Sequence, residues 1–124
     1  MAKILVVDDS SLARRSSRKI LETAGYEVVE AEDGLSALER FYLEKPQAVL
    51  LDVTMRNMDG IEVLRRLRDL DKTAKVVIVT ADVQTSTKEM AKTGGACGFV
   101  IKPVIARTLL EAIASALEPE ALCS

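Results

Sequence analysis

The chain has 124 residues, of which 48% are hydrophobic, 29% charged and 3% aromatic, a balance typical of one globular domain with a buried core. Lysine and arginine total 17 and aspartate and glutamate total 19, so the net charge of −2 excludes a broad basic field for non-specific nucleic-acid binding. The absence of histidine excludes Ser-His-Asp and Cys-His nucleophilic systems and histidine-based zinc sites.

Short apolar runs alternate with segments of helical periodicity along the chain. The apolar runs predict strands at residues 3–7, 26–30, 48–51, 76–79 and 99–101. Helical spacing and capping signals predict helices at residues 10–24, 34–43, from about 60 onward, 85–93 and 105–117. This strand–helix unit, repeated five times, predicts a parallel sheet that is covered by helices on both faces.

The pattern within each element predicts which side is buried. The runs at 4–7, 48–51 and 76–79 lack polar alternation, so these strands are expected to be buried on both faces, whereas the more polar run at 26–30 is expected at an edge. Apolar spacing also marks one stripe along each of the first two helices. These stripes are Leu12, Ser16, Ile20 and Ala24 in the first helix and Leu35, Leu38, Phe41 and Tyr42 in the second.

Two further features bear on the cellular setting. No run reaches the roughly 18 apolar residues that a membrane-spanning helix needs, so no membrane insertion is predicted. Cys97 and Cys123 have no metal-ligand spacing and predict no disulfide framework. This use of cysteine favours the reducing cytoplasm.

Polar residues directly follow four of the five predicted strands. They are Asp8 with Asp9, Asp52, Thr80 and Lys102. Because parallel strands place their carboxyl ends at one edge of a sheet, we expect these side chains to converge. Three neighbouring carboxylates repel one another, and Mg²⁺, which prefers oxygen ligands, would relieve that repulsion. One carboxylate could then attack phosphorus and form an aspartyl phosphate, with Lys102 and Thr80 binding the phosphoryl oxygens.

Each of these residues has a plainer interpretation when it is taken alone. Asp8 and Asp9 could be a solvated pair at a helix start, and Asp52 could be a loop carboxylate. Lys102 could be a surface charge and Pro103 an ordinary first residue of a helix. Their joint occurrence at four strand ends favours a functional site.

Five segments, taken in order, resemble the receiver domain of bacterial two-component response regulators. They are Val6-Val7-Asp8-Asp9, Leu50-Leu51-Asp52, Met58-Asp59-Gly60, Val79-Thr80-Ala81 and Lys102-Pro103. The resemblance covers about residues 3–117 and is nearest to the stand-alone, chemotaxis-type members. It implies an α/β, flavodoxin-like, three-layer αβα fold with a (βα)5 parallel sheet of order 2-1-3-4-5. Residues 1–124 would form one receiver domain with a short C-terminal tail.

The resemblance also implies the roles of the acids. Asp52 would accept a phosphoryl group from a phosphohistidine of a sensor histidine kinase or phosphotransfer protein. Asp8, Asp9, Asp52 and the backbone carbonyl of Thr54 would hold Mg²⁺, with Asp8 acting partly through water. Since this chain has no histidine, the phosphoryl group must come from another protein or from a small acyl phosphate. The family is a signalling phosphoacceptor with self-catalysed phosphotransfer and autodephosphorylation rather than an enzyme with an external substrate.

The remaining implied roles concern switching. Lys102 would contact the phosphoryl group and precede a cis peptide bond to Pro103, while Thr80 and Phe99 would move inward after phosphorylation. This movement would alter the face formed by the fourth helix, fifth strand and fifth helix, which would bind a downstream protein and could support a weak dimer of an otherwise monomeric chain. Residues expected on that face are Asp82, Lys88, Lys92, Phe99 and Arg107. No direct contact with nucleic acid is expected.

Some positions depart from the family pattern or leave alternatives open. Arg56 stands where the family usually has proline, Phe99 stands where tyrosine is frequent, and Thr54 and Asp82 occupy positions that tune the lifetime of the phosphoryl group. A basic patch on the first helix could be either a solvated face or a kinase-docking surface. It consists of Arg14, Arg15, Arg18 and Lys19.

Two other functions share these residues. A small Mg²⁺-dependent phosphohydrolase could use the same aspartyl-phosphate chemistry on external substrates, although such enzymes usually carry cap segments for which 124 residues leave no room. An interaction domain could also keep the fold without being phosphorylated. Multiple turnover of a phosphomonoester would favour the first alternative, and Mg²⁺ binding without phosphorylation would favour the second.

Overall fold

Five parallel strands form one sheet in the computed structural model, which describes residues 2–53, 60–81 and 94–118. The strands are β1 (Lys3–Val7), β2 (Glu27–Ala31), β3 (Ala48–Asp52), β4 (Val76–Thr80) and β5 (Gly98–Ile101). Their order across the sheet is β2-β1-β3-β4-β5. The predicted strand order is therefore confirmed, and each strand lies within one residue of its predicted position.

Helices cover both faces of this sheet. Within the described residues they are α1 (Ser11–Thr23), α2 (Gly34–Glu44), α3 (Gly60–Leu70) and α4 (Ala106–Leu117). One apolar cluster joins the sheet to α2 and α3, and a second joins its other face to α1 and α4, so the three-layer αβα prediction is confirmed. The helix predicted at 85–93 lies outside the described residues. None of the helices described is long and apolar enough to cross a membrane.

The central strands are buried on both faces, as predicted. In β1, Ile4 and Val6 belong to the cluster under α1 and α4, whereas Leu5 and Val7 belong to the cluster under α2 and α3. Every residue of β3 and β4 is buried as well. The strand β2 has a mixed burial pattern and lies at an edge of the sheet, which confirms its predicted position.

At the amino-terminal end of the strands, two hydrogen bonds join β1 to the residue that precedes β3. The backbone amide of Lys3 donates to Oε1 of Gln47 at 2.6 Å, and the backbone amide of Gln47 donates to the carbonyl of Lys3 at 2.8 Å. These two bonds fix β1 to the start of β3.

The stripes predicted for the first two helices are partly wrong. In α1 the buried residues are Ser17 and Leu21, whereas Leu12 is 73% exposed. The row of α1 that packs on the sheet runs through Ser17 and Leu21, one residue further along than the predicted stripe. In α2 Phe41 is buried as predicted, but Tyr42 is 71% exposed beside a groove between α2 and α3.

Cys97 lies directly before β5 and is disulfide-bonded. The expectation that the cysteines form no disulfide is therefore wrong. The disulfide also removes the argument from cysteine usage for a reducing compartment.

Candidate functional site

The polar residues that follow the strands meet at one edge of the sheet. Asp8 follows β1, Asp52 ends β3 and Thr80 ends β4, and all three are buried, with 7%, 2% and 0% of their surfaces exposed. Lys102 follows β5 and is partly buried, while Asp9 is exposed. The adjacency of β1, β3, β4 and β5 in the sheet explains why residues that are distant in sequence lie together.

Three carboxylates form a cluster at this edge. One carboxylate oxygen from each of Asp8, Asp9 and Asp52 lies within 4.8 Å of the others. Burial and the negative charge of Asp52 raise the pKa of Asp8, although the backbone amide of Ser10 and the charge of Lys102 oppose this rise. A set of oxygen ligands whose mutual repulsion is incompletely compensated fits a hard divalent cation such as Mg²⁺.

A lysine balances part of this negative charge. Nζ of Lys102 donates a hydrogen bond to Oδ2 of Asp52 at 2.9 Å. Burial lowers the pKa of Lys102, but the hydrogen bond to Asp52 and the charges of the three aspartates outweigh burial and raise that pKa overall. The peptide bond between Lys102 and Pro103 is cis, as the resemblance implies. The ammonium group is therefore charged and placed directly against the buried carboxylate.

The turn between β1 and α1 places the first two acids. The backbone amide of Asp8 donates to the carbonyl of Ala31 in β2 at 3.1 Å, and Oδ1 of Asp8 accepts from the backbone amide of Ser10 at 2.9 Å. Ser10 in turn caps α1, because its Oγ accepts from the backbone amide of Ala13 at 3.2 Å. The local sequence Asp-Asp-Ser thus ends a strand, forms a tight turn and starts a helix.

A cavity of about 210 Å³ opens beside the cluster. Its lining includes Asp8, Asp52 and Lys102 together with Ser16 and Ser17 of α1. The site therefore has room for a group larger than a single ion, next to both the buried carboxylate and the ammonium group.

Other residues that the sequence analysis singled out lie elsewhere. Phe99 is partly buried in β5 and packs against the cluster under α2 and α3. Arg107 is 84% exposed on α4 and pairs with Glu111. The positions that fall outside the described residues are Thr54, Arg56, Asp82, Lys88 and Lys92.

One contact of the site was not predicted. Arg14 had been grouped with a basic surface patch, yet its side chain is only 13% exposed and donates to the backbone carbonyl of Asp8. It also pairs with Glu30 of β2, as does Arg18. The four-residue spacing of the two arginines, which places them on one side of α1, was the available signal.

Comparisons with known proteins agree with this geometry. The family model described as the response regulator receiver domain matches residues 4–114. The chemotaxis protein CheY of Bacillus subtilis is 39% identical over 112 residues, which are 90% of this chain and 93% of that protein.

Solved structures give the same result. The Vibrio cholerae chemotaxis protein CheY4 is similar with a TM-score of 0.91 and 34% identity, and the match covers 94% of this chain and 99% of that chain. A CheY-like receiver domain protein of Methanospirillum hungatei has a TM-score of 0.89 and 32% identity, with 94% of each chain covered. This chain therefore belongs to the response regulator receiver domain family, the phosphoryl-accepting domains of two-component signalling.

Proposed function

We propose that Asp52 is the phosphoacceptor of this receiver domain and that its phosphorylation switches a protein-binding surface. The observation that carries the proposal is the position of Asp52. Its carboxylate is 2% exposed, lies 2.9 Å from Nζ of Lys102, and shares a cluster with Asp8 and Asp9. No other described carboxylate combines burial, a lysine partner and two neighbouring acids.

The acids fit Mg²⁺ as their ion. Asp8, Asp9 and Asp52 would hold it, together with the backbone carbonyl of Thr54, which lies outside the described residues. When bound, the ion would offset the negative charge of the acids and of an incoming phosphoryl group.

The residues of the chain supply the nucleophile and the binding groups. A carboxylate oxygen of Asp52 attacks phosphorus, a P–O bond forms, and the P–N bond to the donor imidazole breaks with its electron pair leaving on nitrogen. Lys102 pairs with the Asp52 carboxylate before the transfer and binds a phosphoryl oxygen afterwards. The hydroxyl of Thr80, at the end of the neighbouring strand, donates to another phosphoryl oxygen.

The output is contact with another protein. In this proposal Thr80 and Phe99 move toward the phosphoryl group, and the protein-binding face that includes β5 and α4 changes shape. The partners are a sensor histidine kinase or phosphotransfer protein upstream and a protein target downstream. The chain, a single receiver domain over residues 1–124, acts in the cytoplasm as a monomer or a weak dimer through the same face, without contacting nucleic acid.

Intact-mass measurement tests the proposal. The chain is incubated with MgCl2 and either acetyl phosphate or phosphoramidate, and we expect a gain of one phosphoryl group that hydroxylamine removes, because hydroxylamine cleaves acyl phosphates. Asp52→Asn should abolish the gain. Asp69→Asn, which changes an exposed carboxylate on α3, should leave it unchanged.

Two results would contradict the assignment. The first is no gain in mass by the native chain, and the second is an undiminished gain by Asp52→Asn. Multiple turnover of a phosphomonoester by the native chain would instead indicate a phosphohydrolase.

A further inference from the structure

An arginine on α1 holds the peptide that joins the two acids of the β1–α1 turn. Nη1 of Arg14 donates to the backbone carbonyl of Asp8 at 2.5 Å, and Nε of Arg14 donates to Oε1 of Glu30 at 3.1 Å. We propose that Arg14 is a positioning residue for the Mg²⁺ site, with Glu30 orienting its guanidinium group. This inference rests on the proposed function, because it concerns the same acids.

Glu30, the carboxylate partner of Arg14, is itself held by a second arginine. Oε2 of Glu30 accepts from Nη1 of Arg18 at 2.7 Å, and Nε of Arg18 pairs with Glu22 at 3.2 Å. Glu30 is therefore held between two arginines and cannot turn away from Arg14 without losing both contacts. Hydrogen bonds from Arg18, and secondarily from Arg14, lower the pKa of Glu30 even though burial opposes this, so the carboxylate stays ionised at neutral pH.

The same strand holds the peptide on the other side of Asp8. The backbone amide of Asp8 donates to the carbonyl of Ala31, the residue that follows Glu30 in β2. Both peptide planes that flank Asp8 are thus tied to β2, one directly and one through Arg14. Residues that orient metal ligands in this way usually affect metal affinity although they do not touch the ion.

The sign of the effect separates positioning from simple electrostatics. Arg14 carries a positive charge close to a site for a cation. If it acted only through its charge, removing it would strengthen Mg²⁺ binding. If it holds the peptide between Asp8 and Asp9, removing it should weaken binding.

Titration calorimetry of the full chain with MgCl2 tests the inference. Arg14→Met keeps the length of the buried side chain and should weaken Mg²⁺ binding about tenfold, the usual scale for loss of a ligand-orienting partner. Arg14→Lys should be intermediate, because an ammonium group cannot serve the Asp8 carbonyl and Glu30 with the same planar geometry. Arg15→Met, the matched control, changes an exposed arginine of the same helix that takes no part in these contacts, so it should bind Mg²⁺ within about twofold of the native chain.

A further variant separates geometry from charge. Glu30→Gln keeps an oxygen that accepts from Arg14, so Mg²⁺ affinity should again stay within about twofold. Exchange of the Ser10 amide, which donates to Oδ1 of Asp8, should be faster in Arg14→Met than in Arg15→Met. Urea denaturation of each variant checks that it is folded under the same conditions.

The outcomes distinguish this inference from the proposed function. Unchanged or tighter Mg²⁺ binding by Arg14→Met, or an equal loss in Arg15→Met, would overturn the role of Arg14 and leave the proposed function standing. Failure of the native chain to bind Mg²⁺ would overturn both.

Discussion

Asp52 and Lys102 touch each other, yet they come from very different parts of the sheet. Asp52 ends β3, a central strand whose five residues are all buried. Lys102 follows β5, an edge strand in which one residue of four is buried. The carboxylate therefore cannot move without disturbing two apolar clusters, whereas the lysine is carried by a strand that can shift at lower cost. The difference indicates that Asp52 is held more rigidly by its surroundings than Lys102.

Two side-chain truncations test this contrast most directly. They are made at the residues that directly precede Asp52 and Lys102. Leu51 precedes Asp52 and is 0% exposed, so Leu51→Ala should lower the free energy of unfolding by about 2–5 kcal/mol. Ile101 precedes Lys102 and is only partly buried, so Ile101→Ala should cost about 1 kcal/mol. Urea denaturation measures both, and equal losses would remove the distinction between centre and edge.

Alanine substitutions at two glycines, one packed beside β3 and one in β5, also compare the centre of the sheet with its edge. A Cβ at Gly60 would lie 2.8 Å from the Cβ of Val53, the residue after Asp52, and closer still to its Cα. Gly60→Ala should therefore cost about 1–3 kcal/mol, despite the better helix propensity of alanine. At Gly98, which begins β5, a Cβ would meet nothing within 4 Å, so Gly98→Ala should change stability by about 0.5 kcal/mol or less. A neutral Gly60→Ala would show that Val53 gives way easily.

Two carboxylates at the same edge should respond to pH in opposite directions. Burial and Asp52 raise the pKa of Asp8 above 3.8, so its contribution to stability is fully present below 3.8 and is lost as pH rises. Hydrogen bonds from Arg18 and Arg14 lower the pKa of Glu30 below 4.5, so its contribution is present above 4.5 and is lost as pH falls.

The measurement is urea denaturation from acid to neutral pH in metal-free buffer. Relative to the native chain, Asp8→Asn should gain stability as pH increases and Glu30→Gln should lose it. Both changes in the free energy of unfolding should be smaller than the loss caused by Leu51→Ala. Parallel pH profiles for the two variants would contradict the separate environments of these groups.

A modest effect is expected from helix capping after the central and the edge strand. Ser10 caps α1, so Ser10→Ala should cost about 1 kcal/mol. Ile105 occupies the same position before α4, is 54% exposed and makes no side-chain cap, so Ile105→Asp should stabilise the chain by about 0.5–1 kcal/mol. A shift of the urea midpoint in the wrong direction for either variant would contradict this assignment.

The sequence predicted the framework because the framework follows from periodicity. The apolar runs and helix signals place β1, β3 and β4 correctly, and the carboxyl ends of parallel strands must share an edge, which brings Asp52 to Lys102. The strand order and the cis bond before Pro103 came from the resemblance rather than from periodicity.

What the sequence did not predict depends on side chains and sulfur atoms meeting across the fold. Arg14 and Arg18 look like surface charges in sequence, and only the approach of β2 to α1 gives both of them Glu30 as a partner. The disulfide at Cys97 is of the same kind. The predicted stripe through Leu12 is wrong because the row of α1 that packs on the sheet, through Ser17 and Leu21, is offset from it by one residue.

Because β1 is buried on both faces, hydrophobic burial alone does not determine its register with the neighbouring strands. Apolar residues of β1 point to both faces of the sheet. A shift of its register by one residue would therefore still bury apolar side chains and would change the buried apolar surface little. The slip would nevertheless move Asp8 by about one strand step, roughly 3.3 Å, and break the bonds of Lys3 to Gln47 at the opposite end. Polar groups at the two ends thus act as stops, so the register of β1 depends on the spacing between those stops as well as on the burial of the four apolar residues between them.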